Sequence, residues 1–438
     1  MSNLSTVDVI IIGAGAAGLA AARELRSTGL QVIILEARDR VGGRIFTYRD
    51  PKVSVPIELG AEFLHGTTPL TDEILQAARL SAYEITGEHW SSKNGRLSRV
   101  NKYGDRIDKV LGKVDPNRDP DQSFDDYLQS HPSLPSRDRQ LAREFIEGFH
   151  AADASRISER SLAQGDDDDA DRIGRIAEGY DQVTTWLARE VYDAVVLNTR
   201  VRRIEWGRHA VSVEATSNGT SSTYSARAVI VTVPLSTLQR PPDEAGAIEF
   251  SPELPDIRGA AAQLAMGHVA RISLAFTEAF WTNRLSPPKG ATSYCLSFLH
   301  GEKVPFRVWW TAFPVRTPVI VGWTGGPKAE QLLLGGKDAL YEQAIESLAK
   351  LTRISTQELQ SLLMGMWSHD WSTDPLSGGA YSYALVGGAD AARTLAHPVQ
   401  GTIFFAGEAT ATDGKNGTVE GALMTGQRAA RSLLSLLD

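Results

Sequence analysis

Cysteine is almost missing: Cys295 stands alone among 438 residues. One thiol cannot close an internal disulfide, which points to a reducing, cytoplasmic setting. It is also a poor start for a metal site, and no metal-ligand spacing stands out; no metal is expected. Long apolar runs are missing too. Without a stretch of about 20 uninterrupted apolar residues, no membrane-spanning helix is expected. The run from Val7 to Ala22 imitates a signal-peptide core. It holds Gly13, Gly15 and Gly18, however, lacks a basic cluster before it and leads into Arg23-Glu24. The far end is expected to carry no hydrophobic tail. Basic runs are absent, and the formal net charge is −8. That argues against nucleic-acid and anionic-membrane partners and mildly favours cationic ligands. No Ser–His–Asp pattern stands out, as expected where a cofactor performs the hard step.

What is present suits two or more buried cores. Hydrophobic residues make up 42% and charged residues 22%, an ordinary globular balance. Residues 7–12, rich in Val and Ile, read as a buried strand. A glycine turn and a helix to about Arg26 follow, with Gly29 expected at the helix C-terminal cap. Residues 31–35 read as a second strand closed by Glu36, completing a βαβ unit. From about 70 to 176 helical patterns dominate, as in 141–149, and Asp166 to Asp169 read as a solvated acidic loop. Strands are expected at 201–206, 210–215 and 228–233. Residues 261–393 mix strands (272–276, 307–311, 319–323) with a helix near 337–349. A strand at 402–405 and a helix at 419–437 close the chain.

Three motifs carry chemistry. In Gly13-Ala14-Gly15-Ala16-Ala17-Gly18 the first glycine permits a tight turn. The second lets backbone approach a pyrophosphate, and the third lets the helix pack closely on the strand. The helix N-terminus then offers free N–H groups and its positive dipole end to phosphate. Glu36 suits ribose hydroxyls. A plain glycine-rich turn is the competing reading, but strand, helix and acid all fall where a dinucleotide needs them. Next comes Arg38-Asp39-Arg40-Val41-Gly42-Gly43-Arg44. It resembles the second fingerprint of two-dinucleotide flavoproteins, so FAD rather than NAD is expected, with Arg44 forking onto phosphate. Last, Phe404-Phe405-Ala406-Gly407-Glu408 precedes Gly417-Thr418-Val419-Glu420-Gly421-Ala422. A helix starting near Thr418 would stabilise negative charge on a reduced flavin.

With these residues the chain resembles the flavin-containing amine oxidases: monoamine, polyamine and L-amino-acid oxidases and histone lysine demethylases. The likeness also runs through residues 58–66, 232–235, 276–281 and 367–383. It implies cofactor contacts at Gly13, Gly15, Ala17, Gly18, Glu36, Ala37, Arg38, Gly43 and Arg44. Gly60, Ala61 and Glu62 should lie near the isoalloxazine, Val201 at adenine, and Val233, Gly407 and Glu408 along the dinucleotide. Thr418 and Val419 should meet the flavin pyrimidine. Trp371 and Tyr381 should line the substrate side. Three departures stand out. Ser377-Gly378-Gly379-Ala380-Tyr381 has alanine where some relatives attach flavin through cysteine, so non-covalent FAD is expected. Arg271 replaces a lysine linked to oxygen chemistry, which puts fast reoxidation in doubt. Thr418 falls where monoamine oxidases have a second aromatic wall.

Other residues admit plainer readings. Trp309, Trp310, Trp323 and Trp367 read as packing residues, and Cys295 as an inert buried thiol. His65 is either structural or near the substrate; His150 and His369 stay unassigned. The expected fold is α/β: a Rossmann-type FAD domain (1–70, 177–260, 394–438) interleaved with a mixed α+β substrate domain (71–176, 261–393). The expected reaction is FAD-dependent oxidation of a primary or secondary amine by hydride transfer to flavin N5. The imine would be hydrolysed to an aldehyde or ketone, and oxygen would be reduced to hydrogen peroxide. Catalytic roles fall on Arg271, Tyr381 and Trp371. The alternatives are a desaturase of the protoporphyrinogen or phytoene kind, and a flavoprotein that mainly binds a partner. A homodimer is left open.

Overall fold

The computed structural model describes residues 5–85, 88–93, 96–100, 103–163, 172–241, 244, 246–283 and 296–436. The acidic run Asp166 to Asp169 and the thiol of Cys295 lie outside these residues.

Val9–Ile12 is a strand buried on both faces. Val9 and Ile11 enter one core, which the helix Ala16–Arg26 covers, while Ile10 and Ile12 enter another. This two-sided burial explains an unbroken apolar run where a half-exposed strand would alternate. The sheet is parallel, in the order Val195–Val196, Val32–Leu35, Val9–Ile12, Ala228–Val231, Ile403–Phe405. Its strands come from three distant parts of the chain. The helix Val419–Leu434 packs on Ala16–Arg26, and a Cβ on Gly426 would run into the Ala17 backbone. Glu420, in that helix's first turn, accepts from the Leu70 and Thr71 N–H groups at 2.8 and 3.0 Å. It thereby holds the start of the helix Pro69–Ala78. The second core lies under a mostly antiparallel sheet that includes Thr199–Gly207, Ala210–Ser217 and Thr220–Ala226.

A seven-stranded sheet runs Leu363–Trp367, Val269–Phe276, Val319–Gly325, Val308–Thr311, Leu296–Gly301, Glu88–Lys93, Arg96–Arg99. Side chains alternate across it. Ile272, Trp309, Ile320 and Leu299 enter a core that includes residues of the helix Gly336–Thr352. Trp310, Val321 and Phe298 form a separate cluster on the opposite face. A three-stranded antiparallel sheet, Phe63–His65, Ile173–Ile176, Ala82–Glu84, sets Arg175 opposite Phe63 and Tyr83.

Several sequence expectations change. The helical reading of 70–176 gives way to strands at Ala82–Glu84, Glu88–Lys93, Arg96–Arg99 and Ile173–Ile176. Ala82–Glu84, Glu88–Lys93 and Ile173–Ile176 depend on partners remote in sequence, which local periodicity cannot register, and Arg96–Arg99 is the edge strand that folds back on Glu88–Lys93. The strand expected to reach 233 ends at Val231, where Thr232 turns its hydroxyl back onto the Ile12 carbonyl at 2.8 Å. The C-cap of the first helix is Ser27, two residues before Gly29.

Candidate active site

Gly13 has φ +104, and a Cβ there would stand 2.8 Å from Thr232 Oγ1. The position therefore needs glycine for both conformation and space. The next helix begins at Gly15, with no side-chain cap and no acidic residue in its first turn. Its first N–H groups are left to a ligand or water. Gly42 donates to the Ala14 carbonyl at 2.9 Å, so the two glycine turns lie against each other. Glu36 is buried, and burial raises its pKa above the ordinary carboxylate value. Its carboxylate accepts from Ala14 N–H at 2.7 Å and Arg38 N–H at 2.8 Å. Ala37 lies between the two. Val201 is buried at a bulge in its strand, two residues after Thr199, whose N–H meets the Glu36 carbonyl.

Arg44 joins the second motif to the third. It donates to Glu408 Oε1 at 2.8 Å and to the Ala380 carbonyl at 2.9 Å. The other Glu408 oxygen accepts from Ser382 Oγ at 2.6 Å and Gly417 N–H at 3.0 Å. The Glu408 carboxylate, expected along the dinucleotide, thus ties together Arg44, Ser382 and Gly417. A hollow beside it is lined by Arg44, Val233, Leu238, Gly407 and Glu408. Thr418 is the N-cap of the helix Val419–Leu434, its hydroxyl accepting from Gly421 N–H at 2.9 Å.

Gly60 is pinned between backbone and ring. A Cβ there would overlap the Arg44 carbonyl and come within 3.2 Å of the Trp371 ring. Trp371 is 5% exposed, and its indole N–H bonds the Leu59 carbonyl at 2.8 Å. His369 packs edge-on against it at 4.2 Å and bonds Asp374, which also holds Arg38 at 2.9 Å. Burial works against the Asp374 charge, but the bonds from His369 and Arg38 keep its carboxyl well below the usual range.

Two residues past Gly60, Glu62 carries a buried ion cluster. Its carboxylate meets Arg271 Nη2 at 2.6 Å and Arg175 Nε at 2.6 Å. The Trp310 indole N–H lies 3.1 Å from one oxygen. Burial opposes the charge, and the two guanidinium groups still hold the Glu62 pKa down. Arg271 also donates to the Gly60 carbonyl at 3.2 Å. The sequence reading placed Glu62 at the cofactor; in the structure the Glu62 and Arg271 side chains are buried and paired with each other.

Tyr381 packs against Gly417 and donates its hydroxyl to the Phe149 carbonyl at 2.6 Å. Phe149 stands edge-on to His65 at 5.2 Å. Burial lowers the His65 pKa to about 4, so it is neutral at pH 7. The structure thus brings together two groups. Gly13, Gly15, Ala17, Gly18, Glu36, Ala37, Arg38, Gly43, Arg44, Gly407, Glu408, Thr418 and Val419 lie on the two helix starts and the segments bonded to them. Gly60, Ala61, Glu62, Arg271 and Trp371 form the second, and Tyr381 touches the first through Gly417. Arg175, Trp310 and Phe149 were missed. No motif marks them; strand alternation alone separates Trp310 from Trp309.

Residues 16–434 match the family described as flavin containing amine oxidoreductase. The chain belongs to that family. It is an amine oxidoreductase, and a flavin comes with the family. The chain is 32% identical to polyamine oxidase 4 of Oryza sativa subsp. japonica, over 97% of this chain and 88% of the relative. It is 30% identical to probable polyamine oxidase 4 of Arabidopsis thaliana, over 97% and 86%. Among solved structures, putrescine oxidase bound to putrescine has TM-score 0.81 at 22% identity, covering 99% of this chain and 100% of that one. Cyclohexylamine oxidase from Brevibacterium oxydans IH-35A has TM-score 0.80 at 20% identity, covering 98% and 99%. At these identities the solved structures speak for the fold. Residues of this amine oxidoreductase fit a flavin dinucleotide. The uncapped start of Ala16–Arg26 suits pyrophosphate, and Glu36 suits a ribose.

Among the described residues no helix is long and apolar enough to cross a membrane. Nor does any group of three or more His, Cys, Asp or Glu side chains suit a metal.

Proposed function

We propose that this chain binds FAD non-covalently and oxidises a primary or secondary amine. The observation that carries the reading is the meeting of the two glycine turns with the Arg44–Glu408 pair. It aligns an anion-accepting helix start, a ribose-binding acid and a second helix start capped by Thr418. Ala380, where a cysteinyl flavin would need sulfur, supports the non-covalent form. When bound, the flavin supplies a two-electron acceptor for the amine C–H hydride at N5, leaving an imine for hydrolysis and electrons for oxygen, with hydrogen peroxide as product. The chain's own work is binding, orientation and exclusion of water. Trp371 and Gly60 would set one wall and Tyr381 another, and exclusion of water between them would favour the neutral, reactive form of the amine. Arg271, locked between Glu62 and the Gly60 carbonyl, holds a fixed positive charge beside that wall. The partition 1–70, 177–260 and 394–438 against 71–176 and 261–393 fits this division of labour. The single cysteine supports a cytoplasmic setting. The polyamine oxidase relatives weigh against the desaturase alternative.

The test is anaerobic mixing of the purified yellow protein with a panel of amines, following flavin absorbance. Bleaching by an amine and return of colour in air, with peroxide formed, are expected. A bound flavin that no amine bleaches would overturn the reading. Flavin that precipitates with the denatured protein would overturn the non-covalent assignment.

A further inference from the structure

Glu62 is outnumbered. Two guanidinium groups, Arg175 and Arg271, face one carboxylate, and all three side chains are less than one-tenth exposed. Both Glu62 oxygens are taken, by the arginines and by the Trp310 indole N–H at 3.1 and 3.2 Å. The cluster carries a net positive charge. Arg271 Nε is buried without a hydrogen-bond acceptor, and Arg175 Nη1 and Nη2 have no acceptor other than the neighbouring Tyr83 hydroxyl. Tyr83 stands next to Arg175 and does not change that sign, because burial raises its pKa and keeps the phenol neutral. Glu58, raised by burial to about 7, brings only part of a charge and already accepts from Thr47 Oγ1 and Tyr180 N–H.

The surroundings are aromatic. Phe63 packs on Trp310, Phe298 and His65, and His65 on Phe149. Aromatic faces can hold an ammonium, but two are already used: Arg175 lies over Phe63 at 4.8 Å and Arg271 over Trp310 at 5.7 Å. A second ammonium entering here would lose water and meet a like charge in place of an acceptor.

We propose that the Arg175–Glu62–Arg271 cluster makes this a monoamine site: it takes an apolar amine charged only at the reacting nitrogen and turns away diamines and polyamines. This rests on the amine-oxidation reading above and deepens it. It also separates this chain from what the names of its polyamine oxidase relatives suggest. The same field disfavours protonation of the reacting nitrogen, so the cluster assists a monoamine by the means that exclude a diamine.

The experiment compares hexylamine, hexamethylenediamine and spermidine as anaerobic reductants of the wild-type holoenzyme. The expected second-order reduction constant is larger for hexylamine by about tenfold or more. A second readout avoids turnover. In calorimetry, tert-octylamine, which has no α-hydrogen, should bind tighter than a diamine of two tertiary-alkyl groups by about the same factor. Equal or better performance of the dications in either assay overturns the proposal. Arg175→Gln removes one positive charge and frees a Glu62 oxygen, and should raise the diamine-to-monoamine ratio by about tenfold. An unchanged ratio in a folded, flavin-loaded variant also overturns it. If that variant fails to fold, the wild-type comparisons decide. Bleaching by dications alone sinks only this proposal; bleaching by no amine sinks the amine-oxidation reading with it.

Discussion

Trp309 and Trp310 are adjacent in the chain and face opposite sides of one strand. Trp309 is fully buried and its indole N–H bonds the Phe306 carbonyl at 3.1 Å, whereas that of Trp310 donates to Glu62. Arg271 and Ile272 divide in the same way. At Arg271 the planar fork matters, since one nitrogen takes Glu62 and another the Gly60 carbonyl. Arg271→Lys would keep the charge and lose one of those bonds. It should speed reoxidation by oxygen, read by mixing the reduced variant with aerated buffer; an unaltered rate would remove Arg271 from the oxygen reaction. Arg44 makes a different prediction. The Glu408 side chain is 6% exposed, and Arg44→Ala would leave its charge buried without a cation. We expect a loss of about 3 kcal/mol in stability and a lower flavin-to-protein ratio after gel filtration. A variant that keeps its full flavin content and its urea midpoint would contradict this.

Among elements, the closing helix Val419–Leu434 has two attachments at its start. Thr418 caps it, and Glu420 reaches out to hold the start of Pro69–Ala78. Thr418→Ala should cost about 1 kcal/mol, while Thr418→Ser should cost little, because the hydroxyl alone makes the cap. Urea titration of both variants checks it; equal midpoints would show that the cap contributes nothing. Position 418 thus serves the helix. Periodicity made this helix legible in the sequence, as it did Ala16–Arg26 and Gly336–Thr352, since a long apolar stripe needs no partner to be recognised. The strands Glu88–Lys93 and Ile173–Ile176 carry no such signal. Each takes its conformation from a partner, and for Glu88–Lys93 that partner is Leu296–Gly301, some 200 residues away.

For the whole molecule, buried titratable groups set opposing pH trends. Burial lowers His65 and His150 to about 4 and His300 to about 3. In the unfolded chain these rings take protons near the ordinary histidine value of 6.5. Below that value the unfolded state binds more protons, so stability falls as pH drops from about 6.5 towards 4. Glu58 acts the other way. Its folded pKa of about 7 lies above the unfolded value of 4.5, so stability falls as pH rises between the two. Four lowered histidines, His89 included, against the raised Glu36, Glu58 and Glu147 give a net loss on acidification from pH 6.5 to 4.5, read as a lower urea midpoint. Glu58→Gln should deepen that acid loss relative to wild type and raise the midpoint at pH 8. A midpoint that rises on acidification would mean the histidines are not held neutral.

The sequence by itself determined the dinucleotide half of this protein. A glycine turn, a strand and a helix encode their geometry locally, in backbone freedom and apolar period, and so the turns at 13–18 and 42–44 and the flavin family could be read directly. Only the tertiary structure decided the buried ion cluster around Glu62. Arg175, Arg271 and Trp310 lie on three strands of two sheets, and Glu62 on the segment just before Phe63–His65. No local pattern records which carboxylate a guanidinium will reach, because that pairing depends on strand register and on which face each strand turns inward.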